Sequence, residues 1–164
     1  MSYAMSVWGA SPISRLRKLH KKGIRHVCHS KYNAHTEPLL KRENFLNLDD
    51  LFKLQCVKLM HKKIHNTLHS YHNSKLSTYH ETTGRVTRNM NDINLSNARN
   101  KLSKINSINY KVGMSWNELD PFVKSKAQFS ISTFNFHVKK SYISKYNVTC
   151  TKEGCYVCGL REKE

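Results

Sequence analysis

Acidic side chains are scarce in this sequence. Eleven Asp and Glu stand against 28 Lys and Arg in 164 residues, a formal net charge of +17, and no carboxylate precedes Glu37. So large an excess has no fold rationale and opposes compaction by self-repulsion. It calls for a polyanionic partner, nucleic acid first and an anionic membrane surface second, or for a very soluble exterior. No apolar run approaches the roughly 18 residues of a membrane-spanning helix. Met1–Gly9 lacks both a basic start and a long apolar centre, so it does not read as a signal peptide. The five Cys form an odd set, and Cys28 and Cys56 fall inside helical apolar patterns. That usage reads as a reducing, intracellular setting. A Ser/His/Asp or Cys/His catalytic set, a glycine-rich phosphate loop and an internal repeat are also missing.

What is present is organised around residues 47–68. Leu51, Phe52, Leu54, Cys56, Val57, Leu59, Met60, Ile64 and Leu68 cover more than half of a helical wheel. A surface helix carries a narrower stripe, so this helix is expected to be central and touched on several sides. Asn47 or Asp49 can cap its start, where Asp49 and Asp50 complement the dipole. Lys58, His61, Lys62, Lys63 and His65 crowd the other end, where cations are favoured.

Upstream, Ser11-Pro12 predicts the start of a first helix. Ile13, Leu16, His20, Ile24, Val27 and Cys28 form its apolar face, and Arg15, Arg17, Lys18, Lys21, Lys22 and Arg25 lie elsewhere on it. Gly23 weakens that helix by about 1 kcal/mol relative to Ala. Thr36 is expected to cap a short helix with Pro38 in its first turn. Residues 69–83 are rich in polar residues and poor in aliphatics, which reads as a loop or linker. Residues 84–89 read as a short edge strand. Residues 107–112 alternate and stop at Gly113, which favours another strand. Trp116, Leu119 and Phe122 suggest a short buried turn of helix. Ile131, Phe134, Val138, Tyr142 and Tyr146 give a last helical stripe, capped by Ser130 or Ser132.

Several of these stretches, in order, resemble one family. Residues 4–9, AMSVWG, resemble the YG-x-x-x-WG stretch that follows the catalytic core of non-LTR (LINE-like, jockey-like) retrotransposon reverse transcriptases. Residues 25–37 with Pro38 are similar to the next segment, R-x-I-x-x-x-x-Y-x-x-H-T-x-P. Residues 46–52, LNLDDLF, and 63–66, KIHN, resemble the beginning and end of that family's long helix. Residues 107–113 and 116–119 are similar to its S-I-R-Y-R-G-x-x-L-W-N-x-L-P signature, with Asp120 where Pro is common and Pro121 one place later. Residues 129–142 resemble its terminal helix. The resemblance covers residues 4–146 and only what lies after the polymerase core. It implies a thumb and following C-terminal region that grips template RNA or an RNA–DNA duplex, beside a polymerase core not contained in these residues. Polymerisation needs carboxylates that place two metal ions. Asp49-Asp50 is the one Asp-Asp pair, and it sits at a helix start. The chain is therefore expected not to be an enzyme by itself.

Three groups of residues are candidates for chemistry. Arg15, Arg17, Lys18, Lys21, Lys22 and Arg25 are the first nucleic-acid-binding candidates, since phosphate contacts position a protein without reading bases. Arg85, Arg88, Arg99 and Lys101 make a second basic patch. Cys150, Cys155 and Cys158 have spacing that could hold zinc if His137 or a partner supplied a fourth ligand; otherwise they are free thiols on a loose tail, and no cofactor is required. His61, His65, His69 and His72 recur at helical intervals but read as a solvated helix end. Trp8 and Trp116 read as core anchors.

The sequence thus predicts a mostly α protein, a small helical domain with a minor β-hairpin or strand pair between Arg85 and Val112; an α+β fold stays open. The expected divisions are 1–68 as a helical thumb-like region, 69–84 as a flexible linker, 85–146 as a C-terminal region and 147–164 as a Cys-containing tail. The expected function is a noncatalytic C-terminal piece of an RNA-directed DNA polymerase, in a nuclear or cytoplasmic ribonucleoprotein with no membrane partner. A stand-alone basic nucleic-acid-binding module, with or without zinc, and a decayed element fragment are the alternatives.

Overall fold

The central helix forms as its apolar residues require. A computed structural model describes residues 14–86, 90–95 and 107–147. Among them the helices are α1 (Ser14–Val27), α2 (Thr36–Arg42), α3 (Leu48–Ile64), α4 (Ser70–Lys75), α5 (Tyr79–Thr83), α6 (Ile108–Asn117), α7 (Pro121–Ser125) and α8 (Ile131–Ser144), with a 3₁₀ turn at Lys126–Gln128. The protein is mostly helical, as its sequence indicates. On α3, Phe52, Leu54, Cys56, Val57, Met60 and His61 are all buried. At 3.6 residues per turn they span an arc of about 200°. The Asn47 side chain caps α3, its Oδ1 accepting the Asp50 N–H at 2.7 Å.

The described residues divide into two compact units, Leu51–Val138 and residues 14–50 with 139–147. The division falls inside α3 and α8 and differs from the sequential segments expected from the sequence. In the second unit, residues about a hundred positions apart hold one another. The Tyr146 hydroxyl accepts the Asn47 N–H at 3.0 Å and donates to Asp50 Oδ2. Lys41 Nζ donates to the Tyr146 carbonyl at 2.7 Å, and Asn147 Nδ2 donates to Glu37 Oε2 at 3.1 Å. Leu39, Leu40, Leu46, Leu48, Tyr142 and Ile143 are buried there. The cap of α2 is His35, one residue before the expected Thr36, which is itself buried.

In the first unit, α6 and the segment 90–95 replace the expected strand pair. No strand forms among the described residues; Thr78 and Ile93 make an isolated antiparallel bridge. Residues 108–112 enter α6, with Ser107 before its first residue, because Val112 and Trp116, four apart, are both buried and want one helical face. Asn117 then clamps Ile93, accepting its N–H at 2.9 Å and donating to its carbonyl at 3.1 Å. The Trp116 indole donates to the Asn91 carbonyl at 3.0 Å. Trp116 and Leu119 are buried as expected, but Phe122 is 60% exposed. Asp120 caps α7, accepting the Phe122 N–H at 2.8 Å, with Pro121 in the first position.

The stretch expected as a linker contains α4 and α5. A capping box starts α5: Thr78 Oγ1 accepts the Glu81 N–H, and the Glu81 carboxylate accepts the Thr78 N–H. Gly84 closes α5 at φ 66°, a conformation that favours glycine. Residues 84–86 adopt no regular structure, and 87–89 lie outside the described residues. On α8, Phe134, Val138 and Tyr142 are buried, and Ser130 Oγ accepts the Thr133 N–H at 3.3 Å. No helix among the described residues is long and apolar enough to cross a membrane.

Candidate nucleic-acid interface

Helix α1 is described from Ser14 onward; Ile13 and the expected Ser11-Pro12 start lie outside the described residues. Leu16, His20, Ile24 and Cys28, four apart, are half-buried, so one stripe of α1 is turned from water. Val27, expected on that stripe, is 61% exposed. No residue of α1 is fully buried.

The six cations of this helix separate into two kinds. Arg17 forks onto Asp49, with Nη2 at 2.7 Å from Oδ1 and Nε at 3.0 Å from Oδ2. Arg25 Nε donates to the Ala34 carbonyl at 2.7 Å and is half-buried. These two guanidinium groups fasten α1 to its own unit. Arg15, Lys18, Lys21 and Lys22 are exposed and make no ion pair among the described residues. At 100° per residue, Arg15, Lys18 and Lys22 lie within about 60° of one another, with Lys21 on their flank. The expected interface therefore narrows to four side chains.

Beside this face α1, α2 and the start of α3 line a cleft of about 180 Å³, whose lining includes Arg17, His20 and Lys21 as well as Glu37 and Asp49. Its mixed charge suits no simple anion. Burial holds the His20 imidazole below its ordinary pKa of 6.5.

The other candidate groups are placed less completely. Arg85 is exposed, whereas Arg88, Arg99 and Lys101 lie outside the described residues, as do Trp8, Cys150, Cys155 and Cys158. Among the described residues no group of three or more His, Cys, Asp or Glu is placed to hold a metal ion. The sequence places His61 in a solvated helix end, and the structure does not. His61 is buried, and its Nε2 bonds the Phe129 carbonyl at 2.9 Å; His65 Nε2 bonds the Ala127 carbonyl at 3.0 Å. Their rings lie 4.2 Å apart, and His61 stacks on Phe134 at 5.3 Å. These imidazoles dock the turn before α8. Asp49 and Asp50, the adjacent carboxylates, are engaged by Arg17 and by Tyr146. Cys56 is buried, and burial pushes its thiol up to about 12, which leaves it unreactive at neutral pH.

Reading the sequence alone overlooks a second surface. Phe122, Phe129 and Phe136 are 60%, 54% and 63% exposed. The signal was available: no carboxylate occurs between Asp120 and Glu153, a stretch that contains these rings and several lysines. Comparison with protein-family models, curated proteins and solved structures found no match.

Proposed function

We propose that the chain is a noncatalytic, nucleic-acid-gripping piece of an RNA-directed DNA polymerase of the non-LTR retrotransposon kind, holding template RNA or an RNA–DNA duplex by its phosphates. The observation that carries this reading is the exposed set Arg15, Lys18, Lys21 and Lys22, unpaired among the described residues on a helix whose acids are absent from its own sequence. Cations so displayed gain most from a phosphate ladder, because each phosphate contact releases condensed counterions. The engagement of Asp49 and Asp50 within α3's first turn supports a binding role over a metal-dependent one.

The test is salt-dependent binding of duplex RNA and of an RNA–DNA hybrid. Affinity is expected to fall steeply with salt, by a logarithmic slope of about 0.9 per phosphate contacted. Changing Arg15, Lys18, Lys21 and Lys22 together to Gln, with Arg17 and Arg25 kept, is expected to lower that slope by roughly three to four. Retention of full affinity and slope by the quadruple variant would sink the reading.

A further inference from the structure

Scattered exposed apolar side chains are ordinary on a protein surface. Phe122, Phe129 and Phe136 are not scattered. The Lys126 ammonium lies 4.8 Å from the Phe122 ring centroid and 5.4 Å from that of Phe129. The His137 ring meets Phe122 edge-on at 6.0 Å and Phe136 edge-on at 5.6 Å. Phe129, Lys126, Phe122, His137 and Phe136 thus form one continuous chain of contacts within the first unit. The nearest carboxylate in sequence, Asp120, is occupied in capping α7.

We propose that Phe122, Phe129 and Phe136, with Lys126 set between the first two, form a platform for the unpaired bases of single-stranded RNA or DNA. This rests on the reading above that the chain contacts nucleic acid, and it adds a face that selects strand state. A single strand offers what this surface asks for: flat apolar bases for the rings and phosphates for the ammonium. Base–aromatic stacking of this kind tolerates any base, because every base has a π-face. A duplex hides its base faces and has little to give the rings. Lys126 at the rings and the engagement of Asp120 in its cap argue against an acid-seeking or purely apolar occupant, for which the ammonium would be a cost.

The experiment uses the full chain and a labelled uridine oligonucleotide of about 12 nucleotides, within the span that single-strand grooves cover. Replacing the three phenylalanines together by Leu keeps apolar area and removes the π-faces; replacing them by Ala removes both. All three rings are more than half exposed, so unchanged helical circular dichroism is expected for each variant. The Leu variant is expected to bind the single strand at least roughly tenfold more weakly than the unaltered chain, with duplex affinity unchanged. An abasic oligomer of equal length and charge is expected to bind both alike and weakly. Equal single-strand affinity of the Leu variant and the unaltered chain overturns the platform, as does equal binding of abasic and base-bearing oligomers. Those results leave the phosphate-gripping reading standing if the α1 variant still loses duplex. Loss confined to the single strand in the phenylalanine variants, with no effect of the α1 variant on duplex, upholds the platform and sinks the other reading.

Discussion

A glycine and an asparagine in α6 set the geometry of the first unit. A Cβ built on Gly113 would stand 2.5 Å from Leu95 Cδ2, 3.0 Å from Ile93 Cγ2 and 3.3 Å from Ile93 Cβ. The first of these atoms can swing away, but the β-branched Ile93 cannot, because Asn117 clamps its backbone on both sides. Gly113→Ala is therefore expected to destabilise the protein by about 1–3 kcal/mol through overpacking, although Ala is the better helix former by about 1 kcal/mol. Chemical denaturation measures this directly; a neutral or stabilised variant would show that residues 93–95 move aside freely. The same position explains a misreading. Gly113 looks like a strand terminator in sequence and is instead the hollow that receives Ile93.

At the scale of elements, the sequence reveals helices whose apolar residues are numerous. α3 is legible from its wide apolar arc, from Asn47 before it and from the basic residues at its end. α8 is legible from Phe134, Val138 and Tyr142. α5 is not, because its stability comes from a reciprocal cap and from Lys63, whose ammonium reaches Glu81 at 2.8 Å, and neither shows as an apolar period. The apolar face of α6 was legible in principle at Val112 and Trp116, but the alternation of Ile108, Tyr110 and Val112 points to the wrong period. On α1 the cationic face is legible because the acids are missing. The loss of Arg17 to Asp49 is not, since the partners are 32 residues apart.

α1 also carries a pH dependence. Burial lowers the His20 pKa in the folded state, so the unfolded chain binds the proton more readily. Stability from this group is complete above the unfolded value of 6.5 and declines as pH falls below it, down to the folded pKa. The thermal midpoint of the unaltered protein is expected to drop more between neutrality and mild acid than that of His20→Leu. Parallel melting curves for the two proteins over that range would assign the effect elsewhere.

For the whole molecule, charge is the dominant quantity. A net +17 without a bound polyanion is self-repulsive, and simple salt screens it over a Debye length of about 10 Å at 0.1 M. Raising sodium chloride from low to moderate concentration is expected to raise the melting temperature of the free protein while it weakens the proposed nucleic-acid binding. Melting temperatures that fall with salt would mean that the ion pairs, few among the described residues, outweigh the repulsion. Those pairs are mostly at half-exposed sites, where each contributes about 0.2–1 kcal/mol, so repulsion is expected to prevail.

α1 keeps none of its side chains wholly out of water and is held by a half-buried stripe of Leu16, His20 and Ile24 together with two arginines, to Asp49 and to Ala34. A helix with so thin a seam is expected to exchange its backbone amide hydrogens sooner than α3, which buries Phe52, Leu54, Cys56, Val57, Met60 and His61.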